Sequence, residues 1–293
     1  MVTVRAPATS ANLGCGFDVF GLALERPADI VRVERAAETT IEVTGVGERY
    51  IPTEPAKNTA GVVAQELDTP ARIRINKGVR PSSGLGSSAA SAAAAAVALN
   101  ELYDRGLSRR ELVRVAAEGE AAVSGEAHAD NVAPSILGGF TVVTDDTITH
   151  VDASVPVVAC LPEIVVSTRD ARRVVPQSVE IDELVGTVGH AATLTAGMFR
   201  DDPELVGAGL EDGSVTGSRA SLIDGFDEVR TAALDAGATG VAVSGAGPSV
   251  LAVCHGDGQS AVASAMLDAF SDVDVDARAY PTAIGGGATI EER

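Results

Sequence analysis

One glycine- and serine-rich stretch runs directly into the longest alanine tract of the chain. Alanine is the strongest helix former, and a helix that begins here presents unpaired N–H groups and about half a positive charge at its first turn. Glycines ahead of the helix let an anion approach the backbone, and the serine hydroxyls add donors or a metal ligand. The pattern predicts a phosphate-binding turn. Its residues are Pro81, Ser82, Ser83, Gly84, Leu85, Gly86, Ser87, Ser88, Ala89, Ala90 and Ser91.

Other interpretations compete for the same residues. The P-loop pattern requires a lysine after its second glycine, and this stretch has none. Residues 84–89 match the dinucleotide fingerprint G-x-G-x-x-A, but that motif needs an acid at the end of a following strand. A long helix follows instead, and Glu101 and Asp104 lie near its end. On these residues alone, a plain glycine turn that caps a buried helix remains an alternative.

Four stretches, spread in order along nearly the whole chain, resemble motifs of the GHMP kinase superfamily or of one of its branches; the superfamily is named after galactokinase, homoserine kinase, mevalonate kinase and phosphomevalonate kinase. Residues 81–91 resemble its phosphate-binding motif. Residues 7–18 (PATSANLGCGFD) resemble its N-terminal motif, and residues 128–134 (HADNVAP) resemble the homoserine kinase branch in particular. The third motif is matched by Ser244, Gly245, Ala246 and Gly247.

The resemblance implies an α+β fold, with an N-terminal ribosomal-protein-S5-like domain that binds ATP and a C-terminal ferredoxin-like domain. We expect the domains to cover residues 1–150 and 151–293, with the active site between them. The predicted elements agree with this class, because strands and helices mix without a regular βαβ rhythm.

Local patterns predict some of the elements that position the motifs. Apolar runs predict strands at 19–24 and 30–33. Ser108 and Glu111 have the capping-box spacing that opens a helix. The glycine-rich tail at 284–293 predicts a loose end.

A serine and a glutamate could hold the metal ion that a kinase requires. Phosphoryl transfer needs positioning and charge neutralisation, and Mg²⁺ prefers hard oxygen ligands. Ser88 offers a hydroxyl, and the resemblance implies that Glu120 supplies a carboxylate. Without the resemblance, a solvated helix face would be the simpler interpretation of Glu120. The expected cofactors are ATP, as co-substrate, and Mg²⁺, with Asn58 a candidate for contacting the nucleotide.

The resemblance implies L-homoserine, in threonine biosynthesis, as the phosphate acceptor. Arginine binds carboxylates through paired hydrogen bonds, and Arg172 and Arg219 match the family's carboxylate-binding arginines. Asp18, with Asn12, matches the acceptor for the ammonium group, although an aspartate in a turn commonly caps local N–H groups. The expected substrate-binding residues are Asn12, Asp18, His128, Asn131, Thr168, Arg172 and Arg219.

The sequence leaves open which group removes the proton of the acceptor hydroxyl. Some related kinases have an aspartate base where this chain has Asn131, and an amide cannot act as a base at neutral pH. One alternative is a mechanism without a dedicated base, in which cations and the helix N-terminus stabilise the transferring group. The other is Asp18 acting as the base. The expected catalytic residues are therefore Asp18, Asn131 and Arg172.

Two other functions fit the same motifs. A sister kinase would act on another small alcohol or acid, such as shikimate, pantoate or mevalonate, and a non-catalytic sensor would bind ligand without turnover. The HADN stretch and the paired arginines favour an amino acid. Ser88 and Glu120 argue against a sensor, since a sensor needs no metal site.

The charge of the chain is strongly acidic. The 22 Lys and Arg residues against 41 Asp and Glu residues give a net charge of −19, and only Lys57 and Lys77 are lysines. Such a surface disfavours nucleic acid as a partner. Its self-repulsion is screened in molar salt, where the screening length is about 3 Å, so we expect a cytoplasm rich in salt.

Three scattered cysteines predict neither disulfides nor a zinc site. No apolar run is long enough for a membrane span. The family resemblance suggests a homodimer.

Overall fold

The strands form two sheets, one mainly from the first half of the chain and one from the second half. The computed structural model describes residues 1–124, 129–211 and 215–293. The strands are β1 (Val2–Ala11), β2 (Phe20–Arg35), β3 (Thr40–Gly45), β4 (Ala71–Lys77), β5 (Phe140–Val143), β6 (Ile148–Val151), β7 (Pro156–Pro162), β8 (Ala238–Val243), β9 (Val250–Cys254), β10 (Ala277–Ala283) and β11 (Thr289–Glu292). The helices are α1 (Thr59–Glu66), α2 (Ser87–Tyr103), α3 (Arg109–Ser124), α4 (Ala129–Leu137), α5 (Thr168–Arg173), α6 (Ile181–Arg200), α7 (Pro203–Gly209), α8 (Val215–Ala220), α9 (Phe226–Asp235) and α10 (Gln259–Asp272).

The first sheet has the order β11–β1–β2–β4–β3, and β5 with β6 extends it beside the start of β2. Strands β3 and β4 are parallel, and the other pairs are antiparallel. The stretches predicted as separate strands, 19–24 and 30–33, fall in the single long strand β2. Strand β1 pairs with most of β2, while β5 pairs with its first part and β4 with its second part, so the two short apolar patterns belong to one long strand.

The tail is not loose, and that prediction is wrong. Strand β11 pairs with β1, with Ile290 opposite Val4, and Ile284 forms a bridge to Leu24. Ile284 is buried, and Ile290 packs against the first core. Burial of these apolar side chains and the ladder hydrogen bonds offset the entropy of ordering the glycines between them.

Helix α2 lies at the centre of the first half. It packs against β1 and β2 on one side and against α1, α3 and α4 on the others. Every residue from Ala89 to Leu99 is therefore buried, and small side chains allow so many neighbours to approach closely. The capping box that opens α3 is confirmed, since Ser108 N donates to Glu111 Oε2 at 2.7 Å and Glu111 N donates to Ser108 Oγ at 3.3 Å.

The second sheet is antiparallel, with the order β10–β7–β9–β8. Alternating residues of β7 face opposite sides of it. Val158 and Cys160 pack with α9 and α10, and Val157 and Ala159 pack with α6 and α7. The mixture of these sheets and helices confirms the predicted α+β class.

The two halves share one hydrophobic core. Side chains from the first half, such as Leu13, Leu22 and Phe140, join the cluster that also contains Leu194 and Leu251 from the second half. Among the described residues, no helix is both long enough and apolar enough to cross a membrane.

Candidate active site

The start of α2 is a tight turn built by two glycines in the left-handed region. Gly86 caps the helix with φ 61°, and Gly84 precedes it with φ 77°. A Cβ atom on Gly86 would lie 2.0 Å from Thr9 Oγ1, and one on Gly84 would lie 2.5 Å from the carbonyl oxygen of Ser244. Glycine at these two positions therefore lets β1 and the third motif approach the backbone of the turn closely.

This turn opens into a cleft of about 500 Å³. The cleft draws its walls from both halves of the chain. The predicted site residues that line it are Asn12, Asp18, Asn58, Pro81, Ser82, Ser83, Gly84, Gly86, Ser87, Ser88, Ser91, Glu120, Asn131, Thr168, Arg172, Arg219, Gly245, Ala246 and Gly247.

Among the described residues, four predicted site residues do not line the cleft. Leu85, Ala89 and Ala90 are buried in the hydrophobic cores, where they support the turn from behind. Ser244 is also buried, and its hydroxyl donates to the carbonyl oxygen of Gly84 at 2.9 Å. His128 lies outside the described residues.

The third motif packs against the phosphate turn. Ser249 N donates to the carbonyl oxygen of Ser83 at 3.2 Å, and Gly245 N donates to the carbonyl oxygen of Ala11 at 2.8 Å. A Cβ on Gly245 would lie 2.8 Å from the carbonyl oxygen of Gly84. All three motifs therefore meet through their backbones at one place, although they are far apart in sequence.

A hydroxyl and a carboxylate meet at the start of α2. Ser88 Oγ donates to Glu120 Oε1 at 2.5 Å, and Glu120 is 3% exposed. Burial raises the pKa of Glu120 to about 7, the Ser88 hydrogen bond opposes that rise, and the charge of Asp130 adds to it. Both side chains present hard oxygen atoms, so they fit a magnesium ion that takes its other ligands from phosphate and water.

A carboxylate and a guanidinium face the cleft from opposite halves of the chain. Arg172 of α5 contacts Asp18 through two hydrogen bonds, Nη1 to Oδ2 at 2.9 Å and Nη2 to Oδ1 at 3.3 Å. Asp18 has φ 55°, and its backbone N–H donates to Asn12 Oδ1 at 2.9 Å. Asn12 is thus a residue that shapes the loop carrying Asp18.

The second arginine, Arg219, is 4% exposed. Its Nη1 donates to the carbonyl oxygen of Gly245 at 2.8 Å. Its guanidinium carbon lies 4.7 Å from the centroid of the Phe17 ring, and that of Arg172 lies 5.4 Å from the same centroid. Both arginines therefore contact Phe17 of the N-terminal motif.

Asn131 and Thr168 reach the cleft from short helices. Asn131 lies near the start of α4, and its Oδ1 would be 3.4 Å from a Cβ on Gly86. Thr168 begins α5 directly after Ser167, whose hydroxyl accepts a hydrogen bond from Asp170 N at 3.0 Å. Asn131 therefore lies beside the phosphate turn, and Thr168 lies on the same short helix as Arg172.

Sequence reasoning missed a buried lysine in the cleft wall. Lys77 Nζ forms an ion pair with Asp29 and donates to the carbonyl oxygen of Ser87 at 2.7 Å and to Ser91 Oγ at 2.9 Å. Burial lowers the pKa of Lys77, and the Asp29 charge opposes this shift. The alternation of buried residues along β4, through Ile73 and on to Lys77, was the signal for an inward-facing side chain.

A second missed group forms another part of the cleft wall. Tyr50 ends a 3₁₀ turn, and Ile51 and Pro52 follow it; all three line the cleft, and their sequence has no phosphate-binding pattern. The Asn58 side chain joins this wall to α1, because Nδ2 donates to the carbonyl oxygen of Pro52 at 2.7 Å and Oδ1 accepts from Ala60 N at 3.0 Å. Lys57 and Thr59, which belong with Asn58 to the stretch considered for the nucleotide, also line the cleft, and the other missed lining residues are Val166 and Ser167.

Comparison with known proteins places the chain in a family. The family model described as GHMP kinases N terminal domain matches residues 54–139, and that described as GHMP kinases C terminal matches residues 194–272. The chain is 70% identical over 292 residues to a homoserine kinase of Halorubrum lacusprofundi, covering 100% of both chains. It is also 70% identical to a homoserine kinase of Natronomonas pharaonis, over 99% of this chain and 100% of the other.

A solved structure supports the same assignment. The crystal structure of homoserine kinase from Cytophaga hutchinsonii superposes with a TM-score of 0.90 and 33% identity, covering 99% of this chain and 96% of the other. The predicted superfamily fold is thereby confirmed. The chain belongs to the homoserine kinase family of the GHMP kinases.

Proposed function

We propose that this protein transfers the γ-phosphoryl group of ATP to the side-chain hydroxyl of L-homoserine, which yields O-phospho-L-homoserine for threonine biosynthesis. The observation that carries the proposal is the shared cleft. It holds the helix N-terminus of α2, suited to phosphates, and the Asp18–Arg172 pair, suited to an amino acid. Full-length identity of 70% to a named homoserine kinase supports the same substrate.

The phosphate side of the reaction uses the backbone and first turn of α2. The N–H groups of Gly86, Ser87 and Ser88 bind the oxygens of the triphosphate, and the helix dipole adds positive potential there. The turn is rigid, because Ser244 and Gly86 fix it against the third motif and β1. Preorganised donors of this kind stabilise charge that develops on the transferring group.

The acceptor side uses charges of both signs. Asp18 accepts the substrate ammonium group, and Arg172 with Arg219 binds its carboxylate. The zwitterion thereby replaces contacts that Asp18 and Arg172 make with each other. Fixing both charged ends restricts where the remaining hydroxyl can lie, and such positioning accounts for a large share of the barrier reduction in phosphoryl transfer.

Position 131 provides no aspartate that could accept the proton of the acceptor hydroxyl, because the residue there is Asn131. Asn131 borders the phosphate turn and orients the hydroxyl or a phosphate oxygen through its amide. We assign Asp18 to substrate binding, and the hydroxyl proton passes to an oxygen of the transferring phosphoryl group, whose developing charge the helix N-terminus stabilises.

Magnesium is part of the proposal, with Ser88 and Glu120 as its protein ligands. When bound, the ion neutralises phosphate charge. The buried Glu120 carboxyl, whose pKa is about 7, gains a compensating positive charge in that state.

A coupled ADP-release assay tests the function directly. We expect turnover with L-homoserine and little with shikimate, pantoate or mevalonate. Preference for one of those acids would favour a sister kinase. Binding of ATP and homoserine without ADP release would favour a sensor. Glu120→Ala should remove turnover and leave homoserine binding intact.

We also propose a homodimer that forms through α6. Ile181, Leu184, Val185 and Val188 have the i, i+3, i+4, i+7 spacing of one helix face and are 46% to 69% exposed. Between Glu183 and Arg200 the helix has no Asp, Glu, Lys or Arg. In a chain of net charge −19, the part of this face after Asp182 and Glu183 lets two copies meet with little repulsion. Light scattering after gel filtration should show a dimer for the native chain and a monomer for Val185→Glu.

The cytoplasm of a salt-rich cell remains our proposed location. The acidic composition supports it, and so do the sources of the similar homoserine kinases, such as Halorubrum lacusprofundi.

A further inference from the structure

One aromatic side chain of the N-terminal motif contacts both arginines of the cleft. Phe17 lies in the loop between β1 and β2, Arg172 lies in α5 and Arg219 in α8. The two guanidinium carbons are 5.4 Å and 4.7 Å from the ring centroid. Only the tertiary fold brings these residues together, since more than 150 positions separate the ring from either arginine.

Each guanidinium is also held by an oxygen acceptor. Arg172 donates to Asp18 at 2.9 Å, and Arg219 donates to the carbonyl oxygen of Gly245 at 2.8 Å. A planar guanidinium that stacks on a ring and donates to a fixed acceptor has lost most of its rotational freedom. Both guanidinium groups contact the ring of Phe17.

The ring also has an electrostatic effect. Two neighbouring guanidinium groups repel each other, and the repulsion is stronger where water is excluded, as it is around Arg219. The face of an aromatic ring carries negative partial charge and attracts a cation most strongly in such a place. An aliphatic side chain of similar size would fill the same space without this attraction.

We propose that Phe17 is a positioning residue for the substrate carboxylate: its ring holds Arg172 and Arg219 together so that one carboxylate can engage both. This inference rests on the proposed function, because it assigns the two arginines to the carboxylate of L-homoserine. Phe17 itself does not line the cleft and acts through the arginines.

The test is Phe17→Leu, with kinetics for both substrates. We expect the KM for L-homoserine to rise about tenfold, which corresponds to the loss of the ring's attraction for two cations. The KM for ATP should stay unchanged. As a second readout, 3-aminopropan-1-ol has the ammonium and hydroxyl groups of homoserine but no carboxylate. Its inhibition constant should be the same for the native chain and for Phe17→Leu.

Two further variants separate electrostatics from packing. Incorporation of 3,5-difluorophenylalanine at position 17 keeps the shape of the ring and withdraws its electron density, so the homoserine KM should rise part of the way. Phe17→Tyr keeps an electron-rich ring, so its homoserine KM should be close to that of the native chain. The matched control is Tyr103→Leu, which removes a ring 4.6 Å from the Arg35 guanidinium at the far end of α2. We expect no change in either KM for that control.

Three outcomes would overturn the inference. These are an unchanged homoserine KM for Phe17→Leu, an equal loss for ATP or for 3-aminopropan-1-ol, and native kinetics for the fluorinated ring. Failure of the native chain to turn over homoserine would reject the proposed function first and this inference with it. Native turnover with an unaffected Phe17→Leu rejects the inference alone.

Discussion

Asp18 and Arg172 form a two-point ion pair across the cleft, although 154 positions separate them in sequence. Asp18 belongs to the loop after β1, and Arg172 belongs to a six-residue helix of the second half. Their side chains are 42% and 35% exposed, so the pair is within reach of solvent and of a ligand. Asp18 has the charge that an amino acid's ammonium group would need as a partner, and Arg172 has the charge that its carboxylate would need.

Asp18→Asn should mainly weaken homoserine binding. The amide keeps the shape of the side chain but removes the charge that attracts the ammonium group. A hydrogen bond to a charged group contributes about 1.5–3 kcal/mol, so we expect the homoserine KM to rise roughly 10- to 100-fold while kcat falls little. Steady-state kinetics measure both. A loss almost entirely in kcat would instead support Asp18 as the base.

Asp170→Asn is the matched control for that variant. Asp170 lies on α5, and its contact with Arg173 at 3.4 Å is an exposed ion pair of the same type. It does not line the cleft. We expect native kinetics for both substrates.

Glu120 should make ATP use depend on pH near neutrality. Its pKa is about 7 because burial disfavours the charged form, and a metal ion needs the ionised carboxylate. At limiting Mg²⁺, kcat/KM for ATP should therefore rise as the pH passes through about 7. At saturating Mg²⁺ the transition should move to lower pH, because the cation stabilises the carboxylate. A pH profile independent of Mg²⁺ concentration would contradict this assignment.

The raised pKa of Glu120 makes stability depend on pH in the opposite direction when no metal is bound: activity should rise with pH, whereas the free energy of unfolding should fall. An unfolded glutamate titrates near 4.5, so between about pH 4.5 and 7 the folded chain retains a proton that the unfolded chain has lost. This group therefore makes the free energy of unfolding fall as the pH rises through that window. Glu120→Gln, measured by urea unfolding with a chelator present, should remove that contribution and also remove turnover.

Local sequence signals were sufficient for the phosphate turn and α2. Gly84 and Gly86 ahead of an alanine run indicate a left-handed turn and a helix start, and both are determined by neighbouring residues. Contacts between distant segments were less accessible. The alternation of β4, if continued to Lys77, would have indicated an inward side chain, but nothing local identifies Asp29 as its partner.

The tail and Phe17 illustrate the same limit. Glycines at 285–287 indicate flexibility when their neighbours are ignored, and only the position of β1 shows that β11 has a pairing partner. Phe17 looks like an ordinary core residue of a motif until the fold brings two arginines to its ring. Energetics that depend on tertiary neighbours could not be predicted from one sequence.

Gly86→Ala should disable ATP binding. The backbone at this position has φ 61°, which costs a non-glycine residue about 1–2 kcal/mol. The new Cβ would also lie 2.0 Å from Thr9 Oγ1, so the turn or β1 must shift. We expect ATP binding, measured by calorimetry, to weaken at least about tenfold because the backbone donors are misplaced.

Gly106→Ala separates the clash from the backbone strain. Gly106 has φ 67°, and its Cβ would meet nothing within 4 Å. This variant should lose a similar amount of stability from strain and bind ATP normally. Equal ATP binding by the two variants would show that the close approach at Gly86 is unimportant.

Stability should increase with salt. The net charge of −19 makes the folded chain repel itself, and raising KCl from 0.1 M to 1 M shortens the screening length from about 10 Å to about 3 Å. Each kcal/mol recovered raises the melting temperature by roughly 2–4 °C for a chain of this size. The increase should shrink as the pH approaches the isoelectric point of about 4.5. A melting temperature independent of KCl at pH 7 would contradict the charge argument.

The two lysines of the chain provide the sharpest contrast in stability. Lys77 and Asp29 have side chains 2% and 0% exposed, and Lys77→Met leaves the Asp29 charge buried without its ion-pair partner. Breaking a buried pair in this way costs about 3–5 kcal/mol. Lys57 pairs with Glu54 at 2.7 Å but is 68% exposed, so Lys57→Met should change the urea midpoint little.

Adding Asp29→Asn to Lys77→Met removes the second charge and should recover part of the loss, because Asn can still accept the hydrogen bonds of the backbone at residues 78 and 79. Similar midpoints for the two single lysine variants would mean that the buried pair does not stabilise the start of α2.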